Sequence, residues 1–262
     1  TGWHGWLQTI ADMLKLLQKE DLTPATADRP VFYWAPIVAL ACAFAAYVVM
    51  PFGKGVIVAD LNIGILYMIG ITTFTIISLL MAGWGSNNKY ALLGGMRSAA
   101  QVVSYEVPMV GSILAVVLFV GSMSMVDIVE SQSGWFYNWF VFRVPFGPIA
   151  FITYIIAATA EANRTPFDIP EAEQELVAGF NVEYSGMKFA MFFLAEFVNM
   201  FTVSAIAVTL FFGGWNGFGF IPSWIWFLGK TMMVVLLLML FRWTYPRLRV
   251  DQLMEFAWKI LV

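Results

Sequence analysis

The sequence predicts an all-α fold, a polytopic transmembrane helical bundle with an amphipathic helix at its N-terminal end. Composition supports this class, because 60% of the 262 residues are hydrophobic and only 12% are charged, about half the charged fraction of ordinary soluble domains. The mean hydropathy is +0.78. The apolar residues also form long stretches with short polar segments between them. A membrane protein is therefore expected.

Six apolar stretches are predicted to span the membrane, since roughly 20 helical residues cross a hydrocarbon core about 30 Å thick. They lie at 31–50, 61–82, 101–122, 147–162, 187–212 and 224–242. The fourth is short and ends in polar residues, so its helix must end close to Glu161. We predict one membrane domain over 1–262, with an interfacial helix and loop at 1–30, six transmembrane helices within 31–242, an acidic loop at 161–188, and a loop and the start of a further helix at 243–262.

The N-terminal segment has the pattern of an amphipathic helix that lies in the membrane interface. Charged Asp12 and Lys15 lie between apolar residues at helical spacing, which are Trp6, Leu7, Ile10, Leu14 and Leu17. Proline then ends the helix and begins the first span. Two functions fit this segment: a surface anchor, or one wall of an entrance for a lipid-soluble substrate.

The distribution of positive charge predicts the orientation, because cytoplasmic loops retain Lys and Arg. If residues 1–30 are cytoplasmic, that face holds most of the 14 basic residues, namely Lys15, Lys19, Arg29, Lys89, Arg97, Arg164, Lys188, Arg242, Arg247, Arg249 and Lys259. This asymmetry supports the count of six spans.

Three predicted spans carry a charge that the bilayer should disfavour by at least roughly 2.5 to 3.5 kcal/mol. These charges are Glu106, Glu196 and Lys230. Such groups face a protein interior or a water-filled path and commonly mark ion or proton routes. The alternative is a static buried pair that only fixes helix register. Asn199 follows Glu196 at i+3, on the same face of its helix.

The loop at 161–188 concentrates acidic residues. Only Arg164 and Lys188 oppose its six carboxylates, which are Glu161, Asp168, Glu171, Glu173, Glu175 and Glu183. Pro170 is suited to begin a helix. Carboxylates this close together should titrate as a coupled group. A solvated acidic loop is the alternative, although interleaved apolar residues such as Phe180 favour packing.

Several classes of function are excluded by what the sequence lacks. The net charge of -3 and the absence of a basic run argue against nucleic acid. With one histidine, His4, and one cysteine, Cys42, the chain has no ligands for a histidine-based metal site or an iron–sulfur cluster. A nucleotide-binding site is not expected either, because its glycine-rich loop follows a β-strand and the sequence has no convincing strand.

Several segments, in chain order, carry a family resemblance. The acidic loop, at 160–173 (AEANRTPFDIPEAE) and 175–184 (ELVAGFNVEY), is the most specific. Further matching segments are 12–16 (DMLKL), 90–94 (YALLG), 104–107 (SYEV), 192–197 (FFLAEF) and 245–247 (YPR). The chain thereby resembles the NuoH family, also called NADH dehydrogenase subunit 1, which is the membrane subunit next to the quinone site of respiratory complex I.

The resemblance implies roles for individual residues. The matching acids would form a proton-coupling chain, namely Glu106, Glu161, Asp168, Glu171, Glu173, Glu175, Glu183 and Glu196; buried Lys230 is assigned to the same set. Arg97 and Arg164 would be the counter-charges. The quinone entrance or chamber would include Trp6, Ala11, Asp12, Lys15 and Phe180.

The resemblance also implies partners and location. The chain would bind no cofactor or metal itself; quinone would be the substrate, and iron–sulfur clusters and FMN would lie in partner subunits of an NADH:quinone oxidoreductase. Those partners would be peripheral-arm subunits at the quinone site and antiporter-like membrane subunits, in an energy-transducing membrane such as the bacterial plasma membrane. Family members are expected to have eight spans, so the first helix and most of the last would lie outside this sequence.

Two alternatives remain open on these residues. The chain could be the corresponding subunit of a related membrane-bound hydrogenase, or of a quinone oxidoreductase that uses another electron donor. From a different class, it could be an ion-coupled secondary transporter with Glu106, Glu196 and Lys230 as its ion site.

Overall fold

The computed structural model of the chain describes residues 5, 7–168, 179–217 and 221–262. Within these ranges the chain is built of helices, and the β-pairing is limited to an isolated bridge between Gly53 and Val56. The α-helices are α1 Gln8–Gln18, α2 Arg29–Ala45, α3 Gly64–Gly85, α4 Lys89–Val120, α5 Met125–Ser131, α6 Phe146–Glu161, α7 Gly186–Phe211, α8 Ser223–Thr244 and α9 Val250–Phe256.

Each of the six predicted stretches forms a helix, which confirms the polytopic bundle. In the described part of the chain, five helices are long and apolar enough to cross a membrane: α2 with the turn that follows it, α3, α4, α7 and α8. The fourth stretch, α6, has only 16 residues, or about 24 Å at 1.5 Å per residue. Because α6 is short, the segment after it lies inside the bundle, where Ala162, Arg164 and Phe167 are buried.

Helix α4 differs from the prediction, since it begins at Lys89 instead of residue 101 and has 32 residues. Glu106 lies 17 residues after Lys89, in the middle of this longer helix. The helix begins where Asn88 accepts a hydrogen bond from the backbone N–H of Tyr90. A helix start is determined by such a cap, whereas the prediction followed the apolar run alone.

The amphipathic helix α1 is confirmed. It leaves its apolar residues exposed, as a helix on a membrane surface requires, and these are Leu7, Ile10, Met13, Leu14 and Leu17. The segment after α1 is attached to the start of α7. There, Lys188 Nζ lies 3.0 Å from Asp21 Oδ2, and the backbone N–H of Leu22 donates to Ser185 Oγ.

The core lies where α3, α4, α6 and α7 meet, and small residues let these helices approach closely. Ala157 and Ala160 of α6 and Ala205 and Ala207 of α7 are completely buried. The expected C-terminal helix begins at Val250 and continues as the π-helical turn Ala257–Leu261. It packs on α4, where Tyr105 Oη donates to the carbonyl of Leu253.

Candidate functional site

A cavity lined by both polar and apolar side chains lies within the bundle, towards the end of α6 that leads into the acidic loop. Its volume of about 60 Å³ is enough for a few water molecules. Helices α2, α3, α4, α6 and α7 and the segments at 163 and 180–181 form its walls. Its polar lining residues are Thr75, Ser78, Glu161, Asn163, Asn181, Glu196 and Asn199. Two of the predicted proton-coupling residues, Glu161 and Glu196, therefore share one cavity.

Glu161 is the last residue of α6 and is 6% exposed. Its Oε2 atom is buried and has no hydrogen-bond partner within the described residues. A buried carboxylate oxygen without a partner is costly, so this atom is a strong acceptor for water or for a proton in the cavity. Its charge is also close enough to Glu106 for the two carboxylates to repel each other.

Glu196 lies on the cavity wall formed by α7, and its charge is balanced by Arg164. The distance from Arg164 Nη2 to Glu196 Oε1 is 3.3 Å, and the two side chains are 9% and 17% exposed. The guanidinium of Arg164 also lies over the ring of Phe197, 4.7 Å from its centroid. Arg164 and Glu196 therefore form an ion pair that is largely withdrawn from solvent.

The segment after α6 is held in place by Gln101, a residue that the sequence analysis missed. Gln101 is 1% exposed, and its Nε2 donates to the carbonyls of Ala160 at 2.9 Å and Phe167 at 2.7 Å. Asn163, with a φ of 50°, reverses the chain between them. A glutamine in an apolar span was the available signal, because a buried amide needs specific partners.

Glu106 is half-buried on α4 and does not line the cavity. Its Oε1 accepts a hydrogen bond from Thr73 Oγ1 of α3. Since its charge interacts with that of Glu161, Glu106 is an electrostatic neighbour of the cavity. Thr73 was also missed, because a threonine in an apolar helix carries no distinctive sequence signal.

The acidic loop is only partly described. Glu183 lies near the start of α4, where its Oε1 accepts from Asn88 Nδ2 at 2.7 Å. Asp168 is half-buried and follows the buried Phe167. Glu171, Glu173 and Glu175, the predicted helix start at Pro170, and Trp6 lie outside the described residues.

Phe180 joins the loop to the cavity, which it lines. Its ring packs edge-on against Phe192 of α7, with centroids 5.5 Å apart. This turn lies so close to α4 that a Cβ atom on Gly94 would be 2.7 Å from the Cα of Gly179. The glycine pair at 94–95 is therefore a packing feature. Arg97, the other predicted counter-charge, is half-buried one turn further along α4.

The predicted quinone-entrance residues of α1 lie apart from the cavity. Ala11, Asp12 and Lys15 are exposed, and Asp12 Oδ1 accepts from Gln8 Nε2 at 3.1 Å. No group of metal-ligating side chains occurs in the part of the chain that the structure describes.

Lys230 is also separate from the carboxylates. Its Nζ donates to three carbonyls, those of Phe212 at 2.8 Å, Gly214 at 3.1 Å and Asn216 at 2.5 Å. It lies 4.3 Å from the ring centroid of Trp139. The three carbonyls follow α7, so the ammonium group binds the negative end of that helix.

The chain is similar to known proteins over its whole length. The family model described as NADH dehydrogenase matches residues 1–262. The H subunit of NADH-quinone oxidoreductase from Geobacillus kaustophilus is 53% identical over 100% of this chain and 78% of its own length. The same protein from Anoxybacillus flavithermus is 52% identical over 100% and 78%, and that from Brevibacillus brevis is 53% identical over 100% and 77%.

These names do not support the hydrogenase or the transporter alternative. The family match covers the whole chain, and the chain belongs to the NADH dehydrogenase family.

Proposed function

We propose that this chain is the membrane subunit of a proton-pumping NADH:quinone oxidoreductase, where it forms part of the quinone chamber and the carboxylate chain that couples quinone reduction to proton translocation. The chain supplies the cavity, the proton route and the coupling; NADH oxidation takes place in other subunits. It resides in the plasma membrane of a bacterium.

The placement of Glu161 and Glu196 in one water-sized cavity carries this proposal. One carboxylate has an oxygen without a protein partner among the described residues, and the other is paired with Arg164. These environments differ, because Glu161 Oε2 can still accept a proton or a water molecule whereas the charge of Glu196 is balanced by Arg164. A pair of unlike carboxylates joined by a few waters can pass a proton from one to the other.

The coupling step follows from the chemistry of quinone reduction. A quinone that accepts two electrons also takes up two protons to become the quinol, and nearby carboxylates lose or regain protons as the local charge changes. Glu106 on α4 interacts electrostatically with Glu161 on α6. A change of charge in the cavity therefore also affects Glu106. Asp168, Glu171, Glu173, Glu175 and Glu183 extend this chain through the loop towards the chamber, with Arg97 and Arg164 as counter-charges.

The chain works together with partner subunits. Iron–sulfur clusters and FMN belong to peripheral-arm subunits that face the acidic loop, and antiporter-like subunits lie beside the bundle in the membrane. The long-tailed quinone enters from the lipid beside α1, near Ala11, Asp12 and Lys15. Trp6 belongs to the same entrance and Phe180 to the chamber.

A double-mutant cycle tests the carboxylate pair in the whole complex. We expect Glu161→Gln and Glu196→Gln each to lower quinone reductase activity and proton pumping about tenfold or more, because each removes a titrating proton. The double variant should lose much less than the product of the two effects, since the residues act as one unit. Flavin and iron–sulfur absorbance should still copurify with the tagged chain, which shows that the complex is assembled.

Glu255→Gln is the matched control, because this carboxylate is 61% exposed and pairs only with Lys259 in the next turn. We expect wild-type rates from it and simple multiplication when it is combined with Glu196→Gln. Multiplicative effects of Glu161→Gln and Glu196→Gln would contradict a shared proton site. Purification of the tagged chain without flavin and iron–sulfur absorbance would contradict the proposed complex.

A further inference from the structure

An apolar groove lies between the C-terminal ends of α6 and α8. Its volume is about 280 Å³, and its walls are Ile156, Thr159, Pro166, Phe167, Phe241, Tyr245, Leu248 and Phe256. The hydroxyl of Thr159 donates to the carbonyl of Ile156 at 2.7 Å, so it is satisfied within its own helix. The backbone N–H of Leu248 donates to the carbonyl of Pro166. The hydroxyl of Thr159 and the backbone N–H of Leu248 are therefore already hydrogen-bonded, and the groove is suited to an apolar ligand.

Arginines flank this groove in the sequence. Arg242 follows the wall residue Phe241, and Arg247 precedes the wall residue Leu248. Both arginines are exposed, and neither has an ion-pair partner among the described residues. Arg249 adds a third positive charge. Its Nη2 atom lies 3.6 Å from Oδ2 of Asp251, with which it forms an ion pair.

The same segment marks the boundary between lipid and water. Trp243 is 88% exposed and Tyr245 is 55% exposed, and exposed Trp and Tyr at the end of a transmembrane helix lie at the level of the headgroups. Arg242 and Arg247 therefore lie at headgroup level, on the face that the distribution of Lys and Arg predicts to be cytoplasmic. The groove beside them is apolar.

We propose that this groove binds one phospholipid with an acidic headgroup, its acyl chain between Ile156 and Phe241 and its phosphate on Arg242 and Arg247. The charge decides the class of lipid. Basic side chains at the inner face attract anionic lipids, whereas a zwitterionic headgroup has no net charge for two unpaired arginines to neutralise. This site is distinct from the carboxylate cavity and does not depend on the proposed proton route.

Photolabelling of the intact complex tests the site. The complex is purified in mild detergent and supplied with phosphatidylglycerol that carries a diazirine on its acyl chain, or with the equally modified phosphatidylcholine. We expect phosphatidylglycerol to label the peptide around Phe241 and Leu248. Replacing Arg242 and Arg247 by Gln should weaken labelling about fivefold for each residue. Ile156→Trp should abolish labelling by filling the groove while leaving the arginines in place.

Arg143→Gln is the control, because this arginine is exposed on the opposite face and stacks on Phe140; labelling should not change. Flavin and iron–sulfur absorbance that copurifies with the tagged chain shows that each variant is assembled. Equal labelling by the two lipids, or unchanged labelling in the Arg242→Gln, Arg247→Gln variant, would overturn the proposal. A crosslink from the groove to polypeptide would show that protein covers it, and displacement of the label by long-tailed quinone would make it part of the quinone path; both outcomes overturn the lipid site.

Discussion

Arg164 Nη2 lies 3.3 Å from Glu196 Oε1 although the two residues belong to different elements, the segment after α6 and the middle of α7. Both side chains are largely withdrawn from solvent, and removing one partner from such a pair leaves an uncompensated charge that costs on the order of 3 to 5 kcal/mol. The ion pair therefore stabilises the wall of the cavity, and we expect its loss to lower activity.

Replacement of Arg164 tests this consequence. We expect Arg164→Met to lower quinone reductase turnover about tenfold or more, because Glu196 then takes up a proton or draws in water. Arg164→Lys should retain part of the activity, since it keeps the charge but loses the planar stacking on Phe197. The measurement is turnover per assembled complex. Lys259→Met, at a residue that is 71% exposed, should behave as wild type; equal loss in Arg164→Met and Lys259→Met would refute the prediction.

Packing at Gly94 provides a second prediction. Gly94→Ala places a methyl group 2.7 Å from the Cα of Gly179, so the turn with Phe180 and Asn181 must move away from the cavity. We expect a loss of about 1 to 3 kcal/mol in stability and a lower quinone reductase rate. Gly111→Ala is the matched control on the same helix, because a Cβ there has no atom within 4 Å. A thermal melting temperature of Gly94→Ala equal to that of Gly111→Ala would contradict the close approach.

The role of Lys230 can be tested by measuring thermal stability and proton pumping separately. Its ammonium holds three carbonyls after α7, and we expect Lys230→Met to lower the thermal stability of the complex by roughly 2 to 4 kcal/mol, on the scale of charge-assisted hydrogen bonds. The number of protons pumped per electron pair in assembled complex should stay unchanged. A fall in that ratio without a loss of stability would instead place Lys230 on the proton route, as its sequence pattern predicts.

The entrance beside α1 is tested by the length of the quinone tail. Ala11 is exposed on the amphipathic helix, and we expect Ala11→Trp to raise the apparent Michaelis constant about threefold or more for long-tailed quinones, a roughly 1 kcal/mol obstruction. Short-tailed quinones should be affected less, and a soluble electron acceptor should not be affected. An equal rise in the apparent Michaelis constant for long-tailed and short-tailed quinones would indicate that α1 is only a membrane anchor.

The sequence by itself determined the class of fold. Long apolar runs predict spans because the hydrocarbon core cannot satisfy a polar backbone, and the six predicted stretches are helical in the structure. The pattern of α1 was sufficient for the same reason, since periodicity reports which face of a helix is apolar. The sequence also singled out Glu196, because a charged side chain within an apolar span is costly unless it has a partner.

The tertiary structure alone decided which groups meet. Spacing along the chain cannot show that Arg164 pairs with Glu196, that Gln101 holds the carbonyls on both sides of Asn163, or that Glu161 faces the same cavity, because these contacts depend on how helices pack across the bundle. It also decided the start of α4, which Asn88 caps before the apolar run, and the position of Lys230 on carbonyls after α7. The physical reason is that hydropathy is a property of single segments, whereas pairing and capping are satisfied by atoms that only packing brings together.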